Sequence, residues 1–128
     1  MKKYIDNIEK IALENNNFRQ VLFTGEHCQL VVMSLRPGEE IGTEVHPNVD
    51  QFFRFEAGEG KVVINGEESP VTDGSAVVIT AGSEHNIINT SPDKDLKLYT
   101  IYSPPNHPDG TIHKTKAEAV AYEAAEHH

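Results

Sequence analysis

Two histidines, one carboxylate and one amide in this sequence are spaced so that they could share a divalent metal ion. Glu44 and His46 are two residues apart, so in a strand their side chains point to the same face. Gln51 follows a short turn (PNVD) and would open the next strand, and His85 lies just beyond a tight Ala-Gly turn. Imidazole nitrogens, a carboxylate and an amide oxygen are competent ligands for a borderline divalent metal.

Short strands must position these side chains. From Phe18 to Tyr102 the chain alternates β-branched and aromatic runs with separators that carry Gly, Pro, Asn or Asp, and this pattern predicts a sandwich or barrel. The Asn65-Gly66 pair is the strongest hairpin signal, and Gly58-Glu59-Gly60 is interpreted as a second hairpin turn. The runs at 62–64 and 77–79 both read VVI, so we expect these strands to be covered by a facing sheet on one side and by a helix or another subunit on the other.

Helical patterns flank the predicted strands. Residues 4–14 place isoleucines and an alanine on one side at helical spacing, and the asparagines at 15–17 end that helix. Near the other end, Thr115 and Glu118 form a capping-box pattern before KAEAVAYEAAE, which predicts a second helix.

Composition fits one domain over residues 1–128, with a barrel core at about 18–103. The net charge of −9 and the lack of a basic cluster argue against a nucleic-acid partner. No run approaches the roughly 18 apolar residues of a spanning helix, and no leader pattern is visible, so a cytoplasmic protein without a membrane partner is expected. Cys28 is interpreted as a small buried hydrophobe. His127 and His128 are assigned no function.

The spacing of these residues resembles that of the cupins. The first cupin signature, G-x5-H-x-H-x4-E-x6-G, and the second, G-x5-P-x-G-x2-H-x3-N, are both kept interval by interval. The first is matched by Gly38, Glu44, His46, Gln51 and Gly58, and the second by Gly74, Thr80, Gly82, His85 and Asn89. The resemblance implies an all-β double-stranded β-helix, a jelly-roll barrel, with a short helix at each end. It also implies a homodimer, as in many single-domain cupins.

Three positions depart from the signatures. Glu44 stands where cupins usually have a histidine, Gln51 where they have a glutamate, and Thr80 where they have a proline. One carboxylate is kept, so the resemblance implies that Glu44, His46, Gln51 and His85 bind a divalent ion: Zn, Mn, Fe, Ni or Co. The set looks like a permuted version of the one in cupin-type phosphomannose isomerases.

Several functions follow from such a site. The Lewis acidity of a metal would polarise a carbonyl, which suits a sugar isomerase or epimerase acting on a small oxygenated metabolite. Glu44, His46 and His85 also resemble the 2-His-1-carboxylate set of iron dioxygenases. A binding module without turnover and a structural metal are further alternatives. No catalytic residue is assigned.

Other residues have weaker assignments. By strand parity, Phe53 and Phe55 share the face of Gln51, so they line the lumen either as core or as substrate contacts. His107 lies in a proline-rich loop that could fold over the barrel mouth, although a solvated histidine is the simpler interpretation. His27 and His113 are expected at the surface.

Overall fold

The structure is a computed structural model that describes residues 2–126, so His127 and His128 lie outside the described residues. It consists mainly of short strands. In chain order these are β1 (Arg19–Thr24), β2 (Gln29–Leu35), β3 (Glu44–Val45), β4 (Asp50–Ala57), β5 (Glu59–Ile64), β6 (Glu67–Thr72), β7 (Ala76–Ile79), β8 (Glu84–Asn89), β9 (Leu96–Ser103) and β10 (Ile112–His113).

The strands form two sheets. One has the order β10-β1-β2-β9-β4-β7 and the other the order β3-β8-β5-β6, with every pair antiparallel. Their inner faces enclose one hydrophobic core. The predicted double-stranded β-helix is therefore confirmed.

Both helices form where the sequence predicts them, but the first is shorter than predicted. Helix α1 spans Ile8–Glu14 because Asn7 caps it: the Asn7 side chain accepts a hydrogen bond from the Lys10 amide at 3.0 Å. Helix α2 spans Lys116–Glu126. Its capping box is confirmed, since the Glu118 amide donates to Thr115 Oγ1 at 3.2 Å and the Thr115 amide donates to Glu118 Oε2 at 3.1 Å.

The Asn65-Gly66 hairpin is confirmed, and it leads into a strand that the pattern missed. Both residues have positive φ, 49° and 83°, as a tight turn of this type requires. Strand β6 follows and pairs only with β5 at the edge of its sheet. Its sequence, EESPVT, is almost entirely exposed and contains Pro70, which an edge strand tolerates.

The interpretation of Gly58-Glu59-Gly60 as a hairpin is wrong. Strands β4 and β5 belong to different sheets, so Gly58 is the point where the chain crosses between them. A Cβ atom at Gly58 would lie 2.5 Å from the Asp95 carbonyl oxygen, and one at Gly60 would lie 2.6 Å from that of Ile88. Close backbone approach therefore requires glycine at both positions.

The inner faces of these strands are buried, and the outer faces are partly exposed in the single chain. Val62 and Ile79 belong to the core, whereas Val78 points outward and is 64% exposed. Coverage by a facing sheet is therefore confirmed, no helix covers Val78 within residues 2–126, and coverage by another subunit stays a prediction. Cys28 was also placed wrongly: it is exposed, in the turn before β2, because the strand begins one residue later.

Candidate metal centre

Pairing of β3 with β8 brings the first and second signatures together. Glu44 lies directly opposite His85 in the antiparallel register, so their side chains share one face. The Gly82 amide in the turn before β8 donates to the His46 carbonyl oxygen at 2.9 Å. The segment with Glu44 and His46 is therefore connected to the segment with His85 by the β3–β8 pairing and by this Gly82–His46 backbone hydrogen bond.

Three predicted ligands converge. Donor atoms of Glu44, His46 and His85 all lie within 4.8 Å of one another. Glu44 Oε2 and His46 Nε2 are 2.9 Å apart, and the two imidazole centroids are 5.3 Å apart. Two ligand atoms held about 2.1 Å from an ion at a right angle lie about 3 Å from each other. This spacing suits adjacent ligands of one ion.

Unpaired polar atoms mark the same place. The close approach of His46 Nε2 to Glu44 lacks hydrogen-bond geometry, so this buried nitrogen has no hydrogen-bond partner among the described residues. His85 Nδ1 lies 3.1 Å from the Ser83 carbonyl oxygen, an arrangement that makes Nδ1 the donor and leaves Nε2 as an electron-pair donor. These residues fit a divalent cation.

Gln51 lies on the inner face of β4, opposite Tyr102 of β9. Its amide nitrogen donates to Thr100 Oγ1 at 3.0 Å, which fixes the amide orientation. Gln51 Oε1 is buried and has no hydrogen-bond partner among the described residues. The Tyr102 ring in turn contacts the His46 ring, with centroids 6.0 Å apart. Gln51 therefore keeps a buried amide oxygen without a partner on the strand position paired with Tyr102, whose ring contacts His46.

The electrostatics favour an ionised Glu44. Burial alone would raise the pKa of this carboxyl, but the close His46 imidazole, with the charges of Arg19 and His85, lowers it on balance. An ionised carboxylate supplies the negative charge that a divalent ion needs.

A cavity of about 430 Å³ opens onto this cluster. Its walls come from the start of β1, from β3, from residues 106–108, from β10 and from α2. Gln29 holds the 106–108 segment in place: its Oε1 accepts from the Asn106 and His107 amides at 3.0 and 2.9 Å, and its Nε2 donates to the His107 carbonyl at 2.7 Å. The predicted loop over the barrel mouth is therefore a cavity wall held by hydrogen bonds to Gln29. The sequence reasoning did not predict this role of Gln29.

His107 is a wall residue of this cavity rather than a solvated loop histidine. Its Nε2 lies 3.2 Å from the Tyr102 hydroxyl, and the two rings meet edge to face. Burial, together with the Arg19 charge, lowers the pKa of His107 to about 3. Burial raises the pKa of Tyr102 to about 12. Both side chains are therefore neutral at pH 7.

His113 was wrongly expected at the surface. It is buried and lies on the same cavity wall, where its ring contacts Tyr122. Burial and the neighbouring Arg19 charge lower its pKa. The signal for its burial is non-local, because only pairing of β10 with β1 brings it opposite Arg19. His27 is exposed as expected.

The two phenylalanines differ in their distance from the cluster. Phe53 meets His85 edge to face, with centroids 6.5 Å apart, and so supports a predicted ligand. Phe55 stacks behind Phe53 and is fully buried in the core. Neither side chain lines the cavity described above.

Arg19 is the main site residue that the sequence reasoning missed. Its side chain is only 2% exposed, yet it lines the cavity beside Glu44 and His46. A local signal existed: Arg19 and Val21 share the inward face of β1, so an arginine stands at a core position.

The comparisons with known proteins agree with this architecture. A family model described as a cupin domain matches residues 31–102. The uncharacterized protein YrkC of Bacillus subtilis is 51% identical over 128 residues, which cover 95% of this chain and 68% of YrkC. The crystal structure of BH2720 from Bacillus halodurans has a TM-score of 0.91 at 44% identity, covering 94% of this chain and 95% of that one.

A more distant structure has a description that names an activity. It is a predicted oxalate decarboxylase from Thermotoga maritima, with a TM-score of 0.57 at 26% identity, and the match covers 60% of this chain and 66% of that one.

None of the helices in residues 2–126 is long and apolar enough to cross a membrane.

Proposed function

The chain belongs to the cupin family, and from that membership we propose that it is a divalent-metal-dependent enzyme acting on a small oxygenated metabolite. One observation carries the proposal: the donor atoms of Glu44, His46 and His85 lie within 4.8 Å of one another, and Glu44 and His46 line a cavity. The unpaired Gln51 Oε1 supplies a fourth ligand.

The proposed reaction is isomerase- or epimerase-like. A bound divalent ion supplies Lewis acidity, which polarises a carbonyl or hydroxyl oxygen of the substrate. Tyr102 keeps its proton at pH 7 and is a hydrogen-bond donor, while neutral His107 offers Nε2 or its proton to the same network. His107 lines the cavity and is therefore placed to bind a polar substrate group, while the buried Tyr102 hydroxyl orients the His107 ring and Gln29 holds the His107 backbone.

A dioxygenase is the second candidate, favoured by the ligand set itself. Two histidines and one carboxylate converge here, and this is the combination that non-haem iron oxygenases use. Likeness to the Thermotoga maritima protein described as a predicted oxalate decarboxylase adds support for a small oxygenated acid as the ligand under either reaction.

Metal content tests the proposal directly. Protein lacking His127 and His128 is analysed for bound metal by mass spectrometry after exposure to Mn, Fe, Co, Ni and Zn and removal of excess ion. We expect about one ion per chain in the wild type and strong loss in Glu44→Ala and His46→Ala. Glu26→Ala and His27→Ala are matched controls that should keep the metal. This carboxylate–histidine pair has its Oε1 and Nε2 atoms 3.8 Å apart, and each of the two side chains is 88% exposed.

Wild-type protein without metal, or variants that keep it, would contradict the proposed centre. A second assay separates the two reactions in the metal-loaded protein. Solvent deuterium entering hydroxy-carbonyl substrates without oxygen consumption supports the isomerase, whereas iron-dependent oxygen consumption supports the dioxygenase. Tight metal binding with neither activity, across a metabolite panel, supports a binding module instead.

A further inference from the structure

Arg19 is a buried cation that leaves part of its hydrogen-bonding capacity unused among the described residues. Its side chain is 2% exposed, and neither Nε nor Nη1 has a hydrogen-bond partner among the described residues. A guanidinium carries five N–H donors in a fixed planar fork. Burying such a charge without full pairing is costly, so its retention calls for a ligand.

The surroundings hold the guanidinium in position without neutralising it. The Arg19 Cζ lies 5.3 Å from the centroid of the Phe18 ring, a cation–π contact that supports one face of the fork. Glu123 of α2 is the nearest carboxylate, but its Oε1 is 3.7 Å from Nη1, longer than a hydrogen bond, and its side chain is half exposed. A partly solvated ion pair of this kind contributes little and can be exchanged for a better one.

The position of Arg19 connects it to the proposed metal centre. It lines the same cavity as Glu44, His46 and His107. Its positive charge acts on Glu44, lowering the pKa of that carboxyl, and acts on Tyr102 and His107 in the same space. Burial and the Arg19 charge lower the pKa of His107 and of His113, which also line the cavity, whereas a guanidinium keeps its positive charge across the physiological pH range.

We propose that Arg19 binds a carboxylate of the substrate, so that the ligand is a small acid carrying a carboxylate for Arg19 and separate oxygen donors for the metal centre. The fork matches a carboxylate through two parallel hydrogen bonds, which are charge-assisted and therefore strong. This inference rests on the proposed metal-dependent function and names its substrate class. An uncharged sugar would leave the buried guanidinium with only its long, partly solvated ion pair to Glu123.

Two matched pairs of acids test this assignment. Malate and 2-hydroxyglutarate each carry a second carboxylate, whereas 2-hydroxybutanoate and 2-hydroxypentanoate have the same hydroxy-acid group and lack it. The two pairs differ by one carbon in length, so they test two distances between the carboxylate bound by Arg19 and the oxygen donors bound by the metal. By titration calorimetry on manganese-loaded protein, we expect at least one dicarboxylate to bind about tenfold or more tightly than its counterpart.

The variants separate ligand binding from a structural role. Arg19→Gln is expected to abolish the dicarboxylate preference while metal content stays at the wild-type level. Arg19→Lys keeps the charge but loses the fork, so we expect a reduced preference and a folded protein even if Arg19→Gln fails to fold. Glu123→Gln removes the competing carboxylate and is expected to keep or raise the preference.

Several results would overturn the assignment. These are equal binding of both acids in each pair by the wild-type protein, a preference that Arg19→Lys leaves unchanged, or a loss of preference in Glu123→Gln that matches the loss in Arg19→Gln. Metal content measured on the same samples distinguishes a failure of the Arg19 proposal from a failure of the proposed metal centre. Full metal content without a preference contradicts only the Arg19 assignment, whereas a wild-type protein without metal contradicts the metal centre.

Discussion

The two ends of the barrel interior are built from the same strands but have opposite chemistry. Strand β4 carries Gln51 at one end of its inner face and Phe53 and Phe55 further along. Strand β8 likewise carries His85 near its start and Ile87 further along, and both are buried. The end that holds Phe53, Phe55 and Ile87, here called the closed end, is a close-packed apolar core. The end that holds Gln51 and His85, here called the open end, is a polar cluster that contains buried atoms without hydrogen-bond partners.

The difference shows how one fold divides stability from function. Each large apolar side chain buried at the closed end contributes about 1.5–3 kcal/mol. At the open end, buried polar atoms such as His46 Nε2 and Gln51 Oε1 lack hydrogen-bond partners and reduce stability until a ligand is bound. We therefore expect changes at the closed end to affect mainly unfolding, and changes at the open end to affect mainly metal and ligand binding.

The largest expected effect is at the closed end. Phe55→Ala removes a fully buried ring and leaves a cavity, so we expect the free energy of unfolding to fall by about 3–5 kcal/mol. Urea unfolding of metal-free protein measures this loss in the free energy of unfolding. Phe52→Ala, on the outward face of the same strand, is the control and should cost clearly less. Equal losses in the two variants would contradict the assignment of the closed end as the stabilising core.

At the open end, Thr100→Val should weaken metal binding more than it lowers stability. Thr100 Oγ1 is the acceptor that orients the Gln51 amide, and loss of such a supporting contact lowers metal affinity by about 10–100-fold. Competition with a fluorescent chelator measures the affinity. Thr72→Val, on the exposed edge strand β6, should leave it unchanged. Wild-type affinity in Thr100→Val would remove Gln51 from the ligand set.

The smallest effect concerns pH. His107 faces Tyr102, Arg19, Glu44, His46 and His113, and its pKa in the folded chain is about 3 instead of the ordinary 6.5. Below pH 6.5 the unfolded chain therefore binds a proton that the folded chain does not, and stability falls as the pH falls.

Between pH 7 and pH 5.5 this one group should lower the free energy of unfolding of metal-free protein by about 1 kcal/mol. Urea unfolding at several pH values, with a chelator present, measures the slope. His107→Gln removes the titrating group, so its slope should be shallower than that of the wild type. Identical slopes would show that His107 is not buried in its neutral form.

Local patterns predicted much of this molecule because the relevant signals are local. The capping box at Thr115 and Glu118, the Asn65-Gly66 turn and the spacing around His46 each depend on residues a few positions apart. The missed or misplaced features depend on distant partners. His113 is buried only because β10 pairs with β1, and Gln29 holds a loop 78 residues away. The homodimer and the cytoplasmic location stay predictions.

The sequence by itself determined the barrel, the face on which Glu44, His46 and Gln51 lie, and the position of His85 after its turn. Strand alternation and turn chemistry fix these, and both act over short distances. Only the tertiary structure decided that the three donors converge within 4.8 Å and that Arg19 lies in the same cavity as Glu44 and His46, with Nε and Nη1 lacking hydrogen-bond partners among the described residues. Contacts between strands far apart in sequence depend on sheet order and register, which no local pattern encodes.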